Sequence, residues 1–239
     1  MPSRYFLDQP PVGDAATLTG SEAHHLAHVL RAKPGEEVLL FDGSGLEYRA
    51  VIEKVGRSEV RLQVVGSESV DREASRPVTL AVALPKGDRQ RWLTEKAVEL
   101  GVARLIPIET RRGVAQPSDN ALERLRRAVI EAAKQCGRNR LMEITPAMRW
   151  EELISQARHE QPCFVAHPGG AAGGLAGQLA QLPPESPVLL AVGPEGGFTD
   201  EEIAAATAAT WHLADLGRRI LRVETAALVL ATLAIHDTA

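Results

Sequence analysis

The sequence predicts an α/β protein in which a small β-barrel precedes a mostly parallel sheet. Two observations support this fold class. Residues 37–65 contain short strand segments joined by tight turns, whereas from residue 78 onward apolar strand segments alternate with helical segments. Such alternation is typical of a parallel sheet covered by helices on both faces.

The barrel is predicted from the alternation within its longest strand segment, "LEYRAVIEKV". Tyr48, Ala50 and Ile52 occupy one face of that segment, and Arg49, Val51 and Glu53 occupy the other. The polar stretch that ends in Pro77 carries no periodic apolar pattern and indicates a linker. We therefore place the barrel domain at 1–70, the linker at 71–77 and the α/β domain at 78–239.

The α/β domain is predicted from its alternating segments in chain order. Strands are expected at "VTLAVALP", "ARLIPI", "PCFVAH" and "VLLAV". Helices are expected at 88–100, 119–136, 174–182, 200–210 and 224–236.

The stretch "VLLAVGPEGGFTDEEI", residues 188–203, predicts a strand, a glycine loop and a helix start. Pro194 stops the strand and holds Gly193 extended. Thr199 as N-cap and Glu202 three residues later form a capping box. Open α/β sheets bind ligands in such a position, outside the carboxyl ends of their strands.

The glycine loop has neither of the two common phosphate-binding signatures, G-x-G-x-x-G and G-x-x-x-x-G-K-[ST]. Glu195 in the loop and the acids of the following helix, 200–202, would repel a pyrophosphate. A ligand with an adenosine and a positive centre but no phosphate, such as S-adenosylmethionine, fits this charge pattern better. A tight turn without any ligand is the alternative.

Residues 216–235, "LGRRILRVETAALVLATLAI", form a second constellation. Arg218, Arg219 and Arg222 place three cations in five residues, and a nearly all-apolar helix begins around Glu224. A helix that is apolar on every side must be buried, so we expect it to be covered by the sheet and by a second subunit.

The charge balance alone argues against a nucleic-acid partner, because the net charge of the 239 residues is −4 and the pI is near 6.0. The kind of basic residue points the other way, since 22 of the 27 are arginine, whose guanidinium suits contact with phosphate. Between Arg124 and Arg140 six basic residues face only Glu131. From this run alone, a solvated helix face is favoured over RNA contact.

Cysteine use and hydropathy indicate a cytoplasmic protein. Cys136 and Cys163 belong to no C-x-x-C pair, which indicates reduced thiols and neither a zinc site nor a disulfide. The N-terminus lacks a long apolar core, and "AALVLATLAI" is about half of the roughly 20 residues that a membrane span needs. We therefore expect no membrane and no metal among the partners.

The motifs "GPEGGFTDEEI" and "LGRRILRVETAAL" together resemble the bacterial family of small-subunit (16S) ribosomal RNA uridine N3-methyltransferases, a branch of the SPOUT superfamily. The resemblance covers most of the chain. "EAHHLAHVLRAKPGEEVLLFDGSGLEYRAVI" is similar to the family's PUA-like RNA-binding barrel, and "PKGDRQRWLTEKAVELGVARLIPI" and "EAAKQCGR" are similar to its catalytic domain.

The resemblance implies a C-terminal trefoil knot, a homodimer, S-adenosylmethionine as cofactor, and ribosomal RNA in the small subunit as substrate. Knots are rare in protein chains, so the residues alone would predict an unknotted sheet. Position by position, the implied cofactor residues are His167, Gly193, Pro194, Glu195, Gly196, Leu216, Gly217, Leu221, Arg222, Glu224, Thr225 and Ala226. The implied RNA-binding residues are Arg31, Arg112, Gln135 and Arg138.

This chain departs from the family's pattern at a few positions. The family commonly has proline where Arg218 stands, threonine where Val223 stands, and proline where Leu141 stands. Arg218 loosens a loop that proline would stiffen, and Val223 removes a hydroxyl.

Methylation of uridine N3 requires the imide proton to leave while negative charge spreads to O2 and O4. A cation near these oxygens would stabilise the developing anion, and a carboxylate or water would take the proton. We assign the first role to Arg222, and the second lies between Glu224 and solvent. An acid at a helix N-terminus is also common without any function.

Other residues have alternative interpretations. Lys96 and Glu99 match family positions, but they also suit an ion pair within one helix. His24 and His28 share a helical face but lack the glutamate and third ligand of a zinc site, so with His25 they are predicted to be barrel surface. Trp92, Trp150 and Trp211 are predicted to be core or interface anchors.

Competing functions are a SPOUT RNA methyltransferase with another target atom, a non-catalytic RNA-binding assembly factor and, with least support, a dinucleotide-dependent oxidoreductase. The ending "LRVETAAL" resembles the uridine branch.

Overall fold

A computed structural model describes residues 3–114, 117–157, 161–170 and 174–236. The chain divides into two compact units. The first unit comprises Met1–Glu73 and Ala133–Leu141, and the second comprises Ala74–Ala132 and Met142–Ala239.

The first unit is a five-stranded sheet with one short helical segment. Its elements are β1 Arg4–Phe6, β2 Ala15–Thr19, α1 Gly20–His24 continued by a π-helical turn His25–Val29, β3 Glu37–Phe41, β4 Leu46–Val55 and β5 Glu59–Ser69. The strand order is β1-β3-β4-β5-β2, and only β1 and β3 pair in parallel. Within the described residues β1 and β2 do not pair with each other, so the curled sheet is an open half-barrel.

The predicted alternation in β4 is confirmed. Tyr48, Ala50 and Ile52 are buried, while Arg49 and Glu53 are exposed and Val51 is partly exposed. The inward residues join a core that strands β2 and β5 also line, because side chains of a strand alternate between its two faces.

The segment Ala133–Leu141 is fastened to the first unit by polar contacts. The Arg4 guanidinium donates to the Arg138 carbonyl at 3.2 Å and to Asn139 Oδ1 at 2.7 Å. Asn139 Nδ2 donates in turn to the Val70 carbonyl at 3.2 Å, and Arg138 is paired with Glu73. No local sequence signal predicts that the chain returns to the first unit, and the predicted domain boundaries assign this segment to the α/β domain.

Two carboxylates of the first unit titrate below their ordinary range. Burial alone would raise the pKa of Glu47, but hydrogen bonds and the charges of Arg4 and Arg72 outweigh it and lower that pKa. Burial alone would also raise the pKa of Asp42, but hydrogen bonds from Ser44 and Tyr48 outweigh this effect and lower that pKa.

We expect the first unit to lose stability as the pH falls below about 4.5, the ordinary value for glutamate. A depressed pKa stabilises the folded state above the unfolded-state value, and this stabilisation is lost as the pH falls through the folded-state value. The measurement is thermal unfolding at several pH values, followed by far-UV circular dichroism, for the wild type and for Glu47→Gln. Glu47→Gln should unfold earlier at neutral pH and lose less on acidification; an unchanged acid dependence would contradict this assignment.

The second unit is a parallel sheet with helices on both faces. Its strands are β6 Val78–Val82, β7 Arg104–Glu109, β8 Glu143–Ile144, β9 Met148–Arg149, β10 Cys163–Ala166, β11 Val188–Val192 and β12 His212–Ala214. Its helices are α2 Asp88–Leu100, α3 Asp119–Cys136, whose end belongs to the first unit, α4 Trp150–Gln156, α5 Gly174–Leu179, α6 Asp200–Ala208 and α7 Val223–His236.

The strand order is β12-β10-β11-β6-β7-β8, with β9 also pairing with β7, and every pair is parallel. Strand β11 therefore lies between β6 and β10, both of which precede it in the chain. The predicted parallel α/β sheet is confirmed, while the trefoil knot stays a prediction.

The linker predicted at 71–77 is partly packed. The division between the units falls between Glu73 and Ala74. Arg76 is only 2% exposed and donates to the carbonyls of Leu179 and Ser186, both at 3.4 Å. Its guanidinium reaches the carboxyl end of α5, where the helix dipole favours a cation.

Two of the three tryptophans anchor the core as predicted. The Trp150 ring is fully buried, 4.5 Å from the Phe198 ring and 5.0 Å from the Trp211 ring between centroids. Trp92 is 46% exposed in this chain, because it lies off the α2 face that Leu93 and Ala97 bury. No helix in the described ranges is long and apolar enough to cross a membrane.

Candidate functional site

The predicted cofactor loops follow three neighbouring strands of the second unit. His167 follows β10, residues 193–196 follow β11, and Leu216 and Gly217 follow β12. Since β12, β10 and β11 are adjacent and parallel, their carboxyl ends lie at one edge of the sheet. The His167 N–H donates to the Ala214 carbonyl at 3.1 Å, which ties the first loop to the third.

The glycine loop is a tight turn that leaves β11 over an aromatic floor. The Gly197 N–H donates to the Pro194 carbonyl at 2.8 Å and closes the turn. A Cβ at Gly193 would lie 2.9 Å from the Phe198 ring, a contact that real Cβ atoms do not make. The close approach of the Phe198 ring to the backbone therefore requires glycine at position 193.

The predicted capping box is present at the start of α6. Thr199 Oγ1 accepts from the Glu202 N–H at 3.2 Å, and Glu202 Oε2 accepts from the Thr199 N–H at 2.7 Å. Glu202 is 3% exposed, and its other carboxylate oxygen accepts from the Arg111 N–H at 2.8 Å. This acid is committed to holding the loop after β7 against α6.

Acidity around the glycine loop is retained in the fold. The pKa of Glu201 is lowered by a hydrogen bond from the Thr199 side chain and by one from the backbone N–H of Glu201 itself. The positive charges of Arg111 and Arg112 lower it further. An ionised acid at this helix start supports the argument against a pyrophosphate ligand.

Arg112, predicted to bind RNA, contacts the glycine loop. Its Nη1 donates to the Gly196 carbonyl at 3.0 Å and to the Phe198 carbonyl at 3.3 Å. The side chain is otherwise exposed, so it can hold the loop from outside and still meet a ligand.

The two predicted catalytic side chains, at the start of α7, differ in their exposure. Arg222 is exposed, and its carbonyl accepts from the Ala226 N–H at 2.9 Å to begin the helix. Glu224 is 6% exposed. Thr225 is exposed, Ala226 is buried, and Leu216 and Leu221 are partly buried.

Two buried polar atoms at this edge have no hydrogen-bond partner within the described part of the chain. They are Nδ1 of His167 and Oε2 of Glu224. Because most buried polar groups are paired, each such atom marks a place where a ligand or water is expected.

Arg89, which no sequence argument singled out, links two of the predicted residues. Its Nη2 lies 3.1 Å from Glu195 Oε1, and its Nη1 lies 3.6 Å from Glu224 Oε2. The only sequence signal was its place in the family-like stretch "PKGDRQRW", where nothing distinguished it from Arg91.

The remaining predicted RNA residues lie in the first unit. Arg31 is exposed with a φ of 53°, and Gln135 is exposed. Arg138 is 4% exposed and paired with Glu73, so a phosphate contact would have to break that pair.

Other interpretations of surface residues were tested by the structure. Lys96 Nζ lies 2.7 Å and 2.9 Å from the two Glu99 carboxylate oxygens, which confirms the ion pair within α2. His24, His25 and His28 are exposed, and across the described ranges no three metal-ligating side chains are grouped.

Comparison with known families gives two matches. Residues 72–235 match an RNA methyltransferase domain, and residues 18–65 match an RNA methyltransferase PUA domain.

Named relatives agree with these matches. The chain is 30% identical over 237 residues to the ribosomal RNA small subunit methyltransferase E of Bacillus subtilis, covering 94% of this chain and 93% of that protein. It is 35% identical over 214 residues to the protein of the same name from Synechocystis, covering 89% and 70%.

A solved structure extends the likeness to the fold. The ribosomal RNA small subunit methyltransferase E of Neisseria gonorrhoeae, bound to S-adenosyl methionine, superposes with a TM-score of 0.87 at 28% identity, over 97% of this chain and 95% of that one.

Proposed function

We propose a function from one premise: the chain belongs to the RNA methyltransferase family of the ribosomal RNA small subunit methyltransferases E. It is an S-adenosylmethionine-dependent methyltransferase of small-subunit (16S) ribosomal RNA. The finer proposal is that the methyl group goes to N3 of a uridine and that the substrate is the assembled small subunit. The observation that supports methyl transfer at this site is the convergence of three loops at one sheet edge, where Glu224 Oε2 is buried without a hydrogen-bond partner among the described residues.

The residues at this edge fit the cofactor. S-adenosylmethionine carries a positive sulfonium and an ammonium, and Glu224 Oε2 is a buried anionic acceptor without a hydrogen-bond partner in the described ranges. The turn Pro194–Gly197 exposes backbone groups to a ligand, because Gly196 has no side chain to cover them. When bound, the cofactor supplies the methyl group.

Arg222 and Glu224 are proposed to act on the uridine. Arg222 is exposed and makes no ion pair with another described residue, so its guanidinium is free to approach the carbonyl oxygens that gain charge as the imide proton leaves. The Glu224 carboxylate can accept that proton, with solvent as the other acceptor.

The RNA itself is proposed to contact both predicted domains. Domain 1–70 would bind structured RNA through phosphate and sugar, with Arg31 among its contacts, and domain 78–239 would receive the uridine after it leaves its stack. Arg112, Gln135 and Arg138 are the further contacts proposed. Such a substrate places the protein in the cytoplasm.

A homodimer is proposed from the outer side of α7. Ala227, Leu230, Ala231 and Ala234 are buried against the chain's own core, but Leu228 and Val229 are partly exposed and Leu233 is 37% exposed. Ile220, just ahead of the helix, is fully exposed. An apolar helix side of this kind suits a second copy as its cover.

Nucleoside mass spectrometry tests the reaction. Small ribosomal subunits from a strain lacking the gene are incubated with the purified protein and S-adenosylmethionine, and naked ribosomal RNA is treated in parallel. We expect 3-methyluridine in the subunits and little in naked RNA. A different methylated nucleoside would overturn the target atom, equal methylation of naked RNA would overturn the assembled-subunit substrate, and cofactor binding without methylation would favour a binding role.

A further inference from the structure

The guanidinium of Arg89 lies between two carboxylates that belong to different parts of the second unit. Glu195 sits in the glycine loop after β11, and Glu224 sits in the first turn of α7. Arg89 itself lies in the first turn of α2. One side chain on a third element thus connects the two segments proposed to hold the cofactor.

The start of α2 is shaped to present this side chain. Its N-cap, Gly87, has a φ of 68° and a ψ of −145°, a backbone conformation that is essentially restricted to glycine. Helix α2 then packs against α7. The helix that carries Arg89 is therefore held in place by its backbone and by packing, and not by the ion pairs alone.

The two ion pairs differ in character. The side chains of Arg89 and Glu195 are 38% and 48% exposed, so their pair is screened by water and adds little to stability. The Glu224 side chain is only 8% exposed, and Arg89 is the one cation within 4 Å of its carboxylate among the residues described. Without Arg89, a buried carboxylate would be left with no such partner, which is strongly unfavourable.

We propose that Arg89 is a positioning residue for methyl transfer, which holds the Glu195 loop and the Glu224 carboxylate in their working arrangement. The 3.6 Å approach to Glu224 offsets charge without making a hydrogen bond, so Oε2 stays available to a ligand N–H. Taken by themselves, the two carboxylates and the Arg89 guanidinium carry one net negative charge, which suits the sulfonium centre of the cofactor. The inference rests on the proposed function in placing the cofactor at these two segments.

The test compares Arg89→Ala and Arg89→Lys with Arg91→Ala as the matched control. Arg91 lies two residues away on the same helix, is well exposed, and pairs with Glu95 within the helix. We expect Arg89→Ala to weaken S-adenosylmethionine binding in calorimetry and to lower kcat, each about tenfold or more, because small displacements at a reacting site are costly. Lysine should restore part of both, since its single ammonium can reach one carboxylate but not bridge two, and Arg91→Ala should match the wild type.

A double-mutant cycle with Glu195→Gln separates positioning from a general structural effect. We expect Glu195→Gln to weaken cofactor binding in the wild type and to have little further effect in Arg89→Ala. Additive effects, or wild-type binding and kcat in Arg89→Ala, would overturn the proposal. If Arg89→Ala shows no cooperative unfolding transition, the test rests on Arg89→Lys and Glu195→Gln. Wild-type cofactor binding and kcat in both of these variants would overturn the proposal.

The outcome is independent of the target atom. Calorimetry with S-adenosylmethionine requires no RNA, so a wild type that binds the cofactor but methylates another atom would contradict the proposed function and leave the role of Arg89 standing. A wild type that does not bind the cofactor would overturn both.

Discussion

Replacing Arg222 by alanine is expected to remove nearly all methylation while leaving the protein folded. The side chain is exposed and makes no ion pair within the described ranges, so its loss removes no packing. If the guanidinium stabilises charge on the uridine carbonyl oxygens, kcat should fall by about 10² to 10³, as for the loss of a single donor to a developing oxyanion. Nucleoside mass spectrometry after single-turnover reactions measures the loss.

Arg218→Ala is the matched control, because Arg218 is an exposed arginine of the same loop and the family commonly has proline there. It should retain methylation and cofactor affinity. Full activity in Arg222→Ala would refute the assignment, and an equal loss in both variants would point to the summed charge of the loop instead of one catalytic arginine.

Introducing a methyl group at Gly193 should have the second large effect. In Gly193→Ala the new Cβ would meet the Phe198 ring at 2.9 Å, and Phe198 is held by the Trp150 ring beneath it. Overpacking of this kind costs about 1–3 kcal/mol. If the loop moves to relieve the clash, S-adenosylmethionine binding should weaken by about tenfold.

Gly177→Ala provides the comparison for this substitution. Gly177 lies in α5, and a Cβ there would meet nothing within 4 Å. That variant should bind the cofactor as the wild type does and be slightly more stable, since alanine favours a helix over glycine. Calorimetry and thermal unfolding of both variants test the expectation; unchanged binding in Gly193→Ala would mean that the loop does not hold the cofactor.

Elements with strong local signals could be predicted from the sequence. Helices α2 and α3 were predicted with the bounds that the structure shows, 88–100 and 119–136, because apolar spacing and terminal residues both mark them. The capping box at Thr199 was predicted because its two residues are three apart in the chain.

Features that depend on distant contacts could not be predicted. Strands β8 and β9 have two residues each, which is too short for any periodic pattern. The helix α4 was also missed. Its first residue, Trp150, is buried through contacts with Phe198, with the Glu202 carbonyl of α6 and with Trp211 just before β12.

In the candidate site, too, features with a local sequence signal could be predicted and features that depend on distant contacts could not. The glycine loop could be found from residues 188–203, since strand, glycines and cap are contiguous there. Arg89 could not, because its pairing with Glu195 and Glu224 joins segments more than a hundred residues apart. The choice of Arg222 and Glu224 depended on family resemblance.

The central position of β11 has a consequence for biosynthesis. Val188 pairs with Val78 on one side, and Leu189 pairs with Cys163 on the other, so the middle of the sheet is occupied by one of its last strands to be synthesised. A nascent chain that has not yet emerged beyond residue 192 must keep a gap between β6 and β10, with apolar strand faces waiting for their partner. Pairings between such distant segments slow folding. The emerging enzyme must therefore avoid premature collapse until its own ribosome has nearly finished it.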